Sequence, residues 1–402
     1  MDEVEAPEYF ICPISLHIMK DPVTIITGIT YDRESIEHWL HNGKNTTCPV
    51  TKQALPEHSV LTPNHMLQKL IQAWCSTSSY HSAPAPKSPL DTVHVHSHIR
   101  ELSIPNLQLK SLRKLEILAV ESEMNRQSMV KFGVDKVMLA FIVSCYEKNN
   151  TAGLEEALSI LNIIRLPSAE TRLLCFETEC IINALTWVLG CDLANNVTIK
   201  SHAVLVLKAI IGKASSNILE MLKPELFVTI VGVLRLGISH QGINGVLHIM
   251  LAARPWGQNR IKIVEAGAVM ELVELELGSP EKRTTELVLG VLFHLCSCAE
   301  GRAQFLSHAA GIAVVTKRIL KVSQATDDRA ILILALICKF SGTSGVLQEM
   351  LRVGSVAKLL MVLQADCPSY LKDRAREILR GHSDVWRSSC CVNGYYLTRY
   401  PN

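Results

Sequence analysis

Four glycines set the strongest constraint on how this 402-residue chain folds. Gly133, Gly267, Gly311 and Gly354 each open an apolar helical run, as in Gly133-Val134-Asp135-Lys136-Val137-Met138-Leu139 and Gly354-Ser355-Val356-Ala357-Lys358-Leu359-Leu360. Their separations of 134, 44 and 43 residues fit one period near 44, provided that degenerate units around Cys180-Ile181-Ile182 and Pro224-Glu225-Leu226 fill the long gap. Asn125-Arg126 and Asn259-Arg260 precede their glycines by the same eight and seven residues, whereas Arg302 stands nine before Gly311. A helical unit of this size cannot bury its apolar face alone, so neighbours must stack into one continuous core.

Such a period belongs to armadillo or HEAT arrays, whose units run roughly 40 to 47 residues. Composition agrees: 48% hydrophobic, 5% aromatic and 19% charged residues describe aliphatic packing between helices and too much apolar side chain for disorder. Forty basic against 38 acidic residues leave a net charge of +2, without the cationic excess that phosphate backbones require, so protein partners are favoured over nucleic acid. The longest charge-free stretch, Leu236 to Ala253, holds His240, Gln241, Asn244, His248 and three glycines. It is therefore no spanning helix of about 20 apolar residues. The acidic start Met1-Asp2-Glu3-Val4-Glu5 lacks a following apolar run, which argues against a secretory signal and leads us to expect a cytoplasmic or also nuclear protein. The 13 cysteines are then expected to be reduced thiols.

Four regions follow: a head at residues 6–80, a Ser/Pro/His-rich linker at 81–107, the repeat array at 108–385 and a tail at 386–402. In an extended linker His94, His96 and His98 would share one face like metal ligands, but a flexible tract lacks the outer partners that orient such ligands, and solvated linker is the expectation. The tail contains Cys390-Cys391 but ends in Tyr400-Pro401-Asn402, which is no prenylation box. In the head, Asp21 to Tyr31 reads as two short strands meeting at Gly28. Asp32 then caps a helix to about His41 with Ile36, Trp39 and Leu40 on one face. Asn64 caps a second helix, with Leu67, Leu70, Ile71 and Trp74 as its apolar face. The head is thus a small α+β unit of about 70 residues, near the lower size at which one core suffices.

The chemistry concentrates in that head. Cys12, His17, His38, His41, Cys48, His58, His65 and Cys75 are numerous enough for two zinc sites, yet their spacing is wrong. Structural zinc sites use Cys-x-x-Cys knuckles, whereas Cys12-Pro13-Ile14 is followed by Ser15 and Cys48-Pro49-Val50 by Thr51. A hydroxyl does not replace a thiolate toward zinc, but it can hydrogen-bond and brace the loops without metal.

This arrangement resembles the U-box, the metal-free relative of the RING domain in ubiquitin ligases. The matching residues are Phe10-Ile11-Cys12-Pro13-Ile14-Ser15-Leu16, Met19-Lys20-Asp21-Pro22-Val23, Gly28-Ile29-Thr30-Tyr31-Asp32-Arg33, Ile36-Glu37-His38-Trp39-Leu40, Cys48-Pro49-Val50-Thr51 and Leu61-Thr62-Pro63-Asn64, closed by Trp74-Cys75. With an armadillo-like superhelix behind it, the chain resembles plant U-box and armadillo-repeat ubiquitin ligases of the type associated with defence and stress signalling. The resemblance implies no cofactor and no catalytic nucleophile. It implies a docking surface for a ubiquitin-charged conjugating enzyme made by Ile14 and Leu16, Trp39, Pro49 and the basic Lys52, with Cys12, Ser15, Asp21, Tyr31, Cys48 and Thr51 as structural residues.

Pattern alone would place Ile14, Leu16 and Trp39 in the core. Cys12, in an apolar run without a cationic cluster, reads as a buried inert thiol. Thr62-Pro63 matches a proline-directed phosphorylation site, where phosphate would add negative charge at the helix start and alter the groove or self-association; such a dipeptide also arises by chance. In the body, import adaptors for nuclear localisation signals repeat Trp and Asn at i and i+4, while here Trp187 is followed by Cys191. The remaining roles are recruitment of a protein substrate, or a scaffold that spaces and dimerises the heads without ligase activity.

Overall fold

The computed structural model describes residues 7–41, 45–56, 60–77, 92–165, 175–192 and 195–387. The chain divides into two compact units, residues 1–89 and 90–402.

In the first unit, β1 (Pro22–Thr24) and β2 (Thr30–Asp32) form an antiparallel hairpin, and β3 (Thr62–Pro63) pairs with the other edge of β1. Gly28 lies in the hairpin turn at φ 79°, a left-handed conformation that costs a glycine little. Helix α1 (Arg33–His41) follows β2 directly and buries Ile36, with Trp39 and Leu40 half-buried beside it. Asp32 does not cap α1 as expected: its Oδ1 accepts the amides of Lys20 and Asp21 at 2.7 and 2.9 Å. Asn64 does cap α2 (His65–Thr77), its Oδ1 accepting the Leu67 amide at 3.1 Å. Ile71 is buried and Leu67 and Trp74 pack partly against the core, but Leu70 is 53% exposed and departs from the expected apolar face.

The second unit is helical and stacked. One series comprises Pro105–Glu121, Leu154–Ile164, Asn196–Ile211, His240–Ala253, Lys282–Leu295, Gln324–Ser341 and Ser369–Gly381, each packed on the next. A second series, Val134–Glu147, Cys175–Gly190, Pro224–Arg235, Ala268–Leu277, Gly311–Arg318 and Ser355–Gln364, stacks in the same way. The expected degenerate units are thus the helices containing Cys180 and opening at Pro224. Side-chain bonds tie each repeat to the one before it: Asn259 donates to Leu219 O at 2.6 Å, Lys262 to Leu222 O at 2.7 Å, Gln304 to Val264 O at 2.9 Å and Lys358 to Ile319 O at 3.2 Å, each spanning 39 or 40 residues.

The marker glycines divide into two physical kinds. Gly133, Gly267 and Gly354 sit immediately before a second-series helix at φ 74–82°, where a side chain would be strained. Gly311 is already helical, and a Cβ there would lie 2.3 Å from the Phe305 carbonyl oxygen. The irregular Arg302 has an equivalent rationale. Asn125 and Asn259 are buried and donate to Leu118 O and Ala253 O near the end of the preceding helix, and Arg302 Nη1 likewise donates to Cys296, Ser297 and Cys298 carbonyls at 3.0–3.2 Å. These contacts satisfy carbonyls that a helix end leaves open.

Two boundaries differ from expectation. Residues read as linker form a helix, Thr92–Glu101, packed on Pro105–Glu121 with Val95 and Leu102 buried in the body's core. The body also extends past 385, since Trp386 is fully buried and donates Nε1–H to Leu347 O at 3.3 Å. The Ser/Pro stretch 78–91 and Cys390-Cys391 lie outside the described residues. No described helix is long and apolar enough to cross a membrane.

Candidate functional site

Two loops of the head share one local construction. In the first, the Cys12 amide donates to His17 O at 2.8 Å and the Leu16 amide to Cys12 O at 2.9 Å. In the second, the Cys48 amide donates to Gln53 O at 2.8 Å and the Lys52 amide to Cys48 O at 3.0 Å. The fifth residue of each, Leu16 and Lys52, is left-handed at φ 56° and 60°. Isolated bridges, Ile11 with Ile18 and Thr47 with Ala54, close the two necks. Both loops thus fold as knuckles whose second thiolate is replaced by Ser15 or Thr51.

Sulfur-centred hydrogen bonds tie these knuckles to the hairpin. Cys12 Sγ accepts the Asp32 amide at 3.3 Å. Cys48 Sγ receives Thr27 Oγ1–H at 3.4 Å and the Thr51 amide at 3.4 Å, and lies 3.1 Å from the Tyr31 hydroxyl. Burial alone would push the Cys48 thiol up, but donors from Thr27, Thr51 and Tyr31 outweigh it and hold its pKa down, to about 6. Cys12 is shifted the same way: burial opposes, and the Asp32, Ser15 and Ile14 donors prevail. The Tyr31 hydroxyl is pushed above its ordinary range by burial and by its bond to Cys48. Cys12 is therefore buried, as expected, but its sulfur is a hydrogen-bond acceptor rather than a bystander. Asp21 contributes through Arg33, whose Nε lies 2.6 Å from Oδ2; both side chains are partly exposed, so this pair contributes little.

The residues expected to form a docking surface are presented by these loops and α1. Leu16 is 76% exposed and so is not in the core where pattern alone places it, while Ile14 and Trp39 are partly buried and rest against the head's core. Trp39 donates Nε1–H to Thr47 O at 2.9 Å, which fixes the indole against the second knuckle. Lys52 Nζ stands 6.0 Å from its ring centroid, at the limit of a cation–π contact. Pro49 is half-buried beside them in sequence. Val50, 50% exposed, was not singled out from sequence, although it occupies in its knuckle the place of Ile14 in the other. Thr62 is exposed on β3.

Metal chemistry finds no ligand set here: among the described residues, no three His, Cys, Asp or Glu side chains are grouped to hold an ion. His58 lies outside the described residues. The helix Thr92–Glu101 turns His96 and His98 apart, His96 toward the Phe132 ring at 5.9 Å and His98 Nδ1 to Glu101 at 3.1 Å; the side chain of His94 is not described.

The body carries a cleft of about 470 Å³ between the helices Cys175–Gly190 and Pro224–Arg235. Tyr146 and Trp187 form one wall, their ring centroids 5.8 Å apart, and Asn183, one turn before Trp187, and Lys223 edge it. Cys191 also lines it.

Comparison with known proteins covers both units. Residues 6–80 match the U-box domain family, and residues 94–402 match the plant U-box protein ARM repeat region. Three Arabidopsis thaliana relatives match along nearly their whole length. The E3 ubiquitin-protein ligase PUB24 is 40% identical over 99% of this chain and 96% of its own, and PUB23 is 40% identical over 100% and 98%. PUB22 is 37% identical over 99% of each.

Proposed function

The chain belongs to the plant family of U-box, armadillo-repeat E3 ubiquitin-protein ligases, a RING-like class of ubiquitin transferase, and from that premise we propose how its two units divide the work. The head docks a ubiquitin-charged conjugating enzyme on the two knuckles and α1. Ile14, Leu16 and Val50 supply apolar contact, Trp39 and Pro49 the floor between them, and Lys52 a cation toward the enzyme or its ubiquitin. No side chain of the head attacks the thioester. The head holds the thioester beside a substrate lysine, and orientation of this kind reaches effective molarities of roughly 10⁵–10⁸ M in favourable systems. Cys12 and Cys48, both fully buried, serve as brace acceptors.

The body recruits a protein substrate, and we assign that role to the cleft of Tyr146, Asn183 and Trp187. The observation that most supports the head's role is the pairing of two like-built knuckles that leave Leu16 and Val50 facing solvent. We place the reaction in the cytoplasm, with the nucleus also open to it, in defence or stress signalling. Phosphorylation of the exposed Thr62, next to the Asn64 cap, would alter the docking surface or self-association.

Reconstitution with activating enzyme, a panel of conjugating enzymes, ubiquitin and ATP tests the reading. Ubiquitin chains are expected with at least one conjugating enzyme. Their absence with all of them would favour a non-catalytic armadillo scaffold.

A further inference from the structure

The first series of helices carries an apolar cleft of about 460 Å³, formed where Gln324–Ser341 meets Ser369–Gly381. Phe293, Leu336, Phe340 and Ile378 line it, with Lys339 and Arg374 at its edge. Phe340 is 57% exposed, so its ring is open to a ligand in the cleft.

Cations surround its aromatic rings. The Arg302 guanidinium carbon lies 4.9 Å and Lys339 Nζ 5.3 Å from the Phe340 centroid, and the Arg329 guanidinium carbon lies 5.1 Å from the Phe293 centroid. Two carboxylates temper this charge: Glu377 pairs with Arg374 at 2.9 Å, and Asp328 approaches Arg329 at 3.5 Å. Arg302 and Lys339 have no carboxylate partner among the described residues. Arg302 is itself buried and locked to the carbonyls at the end of the neighbouring helix, so its charge is fixed in place at no further ordering cost. His294 is adjacent to Phe293 and is partly buried. Burial first, then Arg254, Arg329 and Arg260, push its pKa down to about 4, so the ring is neutral and does not add to the charge.

We propose that this cleft is a second protein-docking site, distinct from the Tyr146–Trp187 cleft, and that its occupant is an acidic peptide segment carrying one large apolar side chain. The apolar side chain would fill the space between Phe293, Leu336 and Ile378 against Phe340. Flanking carboxylates would meet Lys339, Arg374 and Arg329, with the buried Arg302 adding a fixed positive charge beneath Phe340, and charge complementarity of this kind sets specificity and speeds encounter. The site would hold a regulator or a partner of the ligase independently of the substrate cleft.

The probe is a fluorescently labelled heptapeptide with three acidic residues on each side of a central phenylalanine, titrated against the full chain. Saturable binding is expected, weakened at least about tenfold by the double charge reversal Lys339→Glu/Arg374→Glu and several-fold by Phe340→Ala. A matching peptide with lysines in place of the acids should bind the reversal variant more tightly than the unmodified chain, which separates lost charge from lost fold. The proposal is overturned if the acidic peptide does not saturate, or if both variants bind it unchanged. It is equally overturned if serine in place of the central phenylalanine changes nothing, or if anionic phospholipid vesicles bind at this face and displace the peptide. Chain formation in the reconstituted reaction should persist in Phe340→Ala, so failure here is distinguishable from failure of the ligase reading.

Discussion

The two units solve the same problem, holding a surface rigid, by opposite means. The body extends one aliphatic seam from Val95 to Trp386, and each helix is covered by the next. The head has a short set of buried side chains around Val23, Tyr31, Ile36 and Ile71, and it fixes its two loops by hydrogen bonds onto Cys12 and Cys48. Damage should therefore spread differently: locally along a stack whose repeats contact mainly their neighbours, and across both loops at once in the head.

Segment-resolved hydrogen exchange on the full chain separates these behaviours. The largest effect is expected from Phe227→Ala, which empties a fully buried site in the helix Pro224–Arg235 and should cost about 3–5 kcal/mol. Deprotection should centre on the adjoining repeats and leave the head unchanged; uniform loss of protection in both units would break the comparison. Asn259→Ala is next. It strips the carbonyls of Leu219 and Ala253 of their donor in a buried place and should cost about 1–3 kcal/mol, seen as faster exchange of Ser216–Glu220 and the end of His240–Ala253.

Smaller still, Tyr31→Phe removes the hydroxyl beside Cys48 and should cost about 1 kcal/mol, with both the second knuckle and β2 losing protection. The same sulfur predicts a pH dependence. Its folded pKa, about 6, lies below the ordinary 9.0, so the folded state favours the thiolate. That contribution is fully present above pH 9.0 and is lost as the pH falls through about 6. Head protection in the unmodified chain, minus that in Cys48→Ser, should shrink over that window; a flat difference would show that Cys48 does not titrate there.

The repeat was legible because left-handed glycines and buried Asn side chains recur at fixed offsets, which is a backbone requirement written in residue type. Gly311 kept the position for a different reason, close packing on Phe305, and Arg302 performs from one residue further away what Asn259 does. The helix Thr92–Glu101 was obscured by its Ser and His content, although Val95, Ile99 and Leu102 supply a stripe at i, i+4 and i+7. In the head, the missing second thiolates pointed to metal-free loops. That the remaining sulfurs collect donors from Thr27 and Asp32 was not legible, because those residues reach them only once the hairpin has folded. Leu70 followed helical spacing and yet faces solvent, since it lies at the edge of the stripe away from the buried Ile71 and the small core covers only part of that stripe.

The central claim is that the two knuckles and α1 form the docking surface for a conjugating enzyme. The most direct test is the affinity of the full chain for an active conjugating enzyme, measured alongside Leu16→Ala, Ile14→Ala and Trp39→Ala. Leu16 is the cleanest of the three, because so exposed a side chain is dispensable for folding. Each substitution is expected to weaken binding by about 2 kcal/mol or more, roughly 30-fold, while head exchange in Leu16→Ala stays unchanged. Undiminished affinity in all three, with the head folded, would contradict the account.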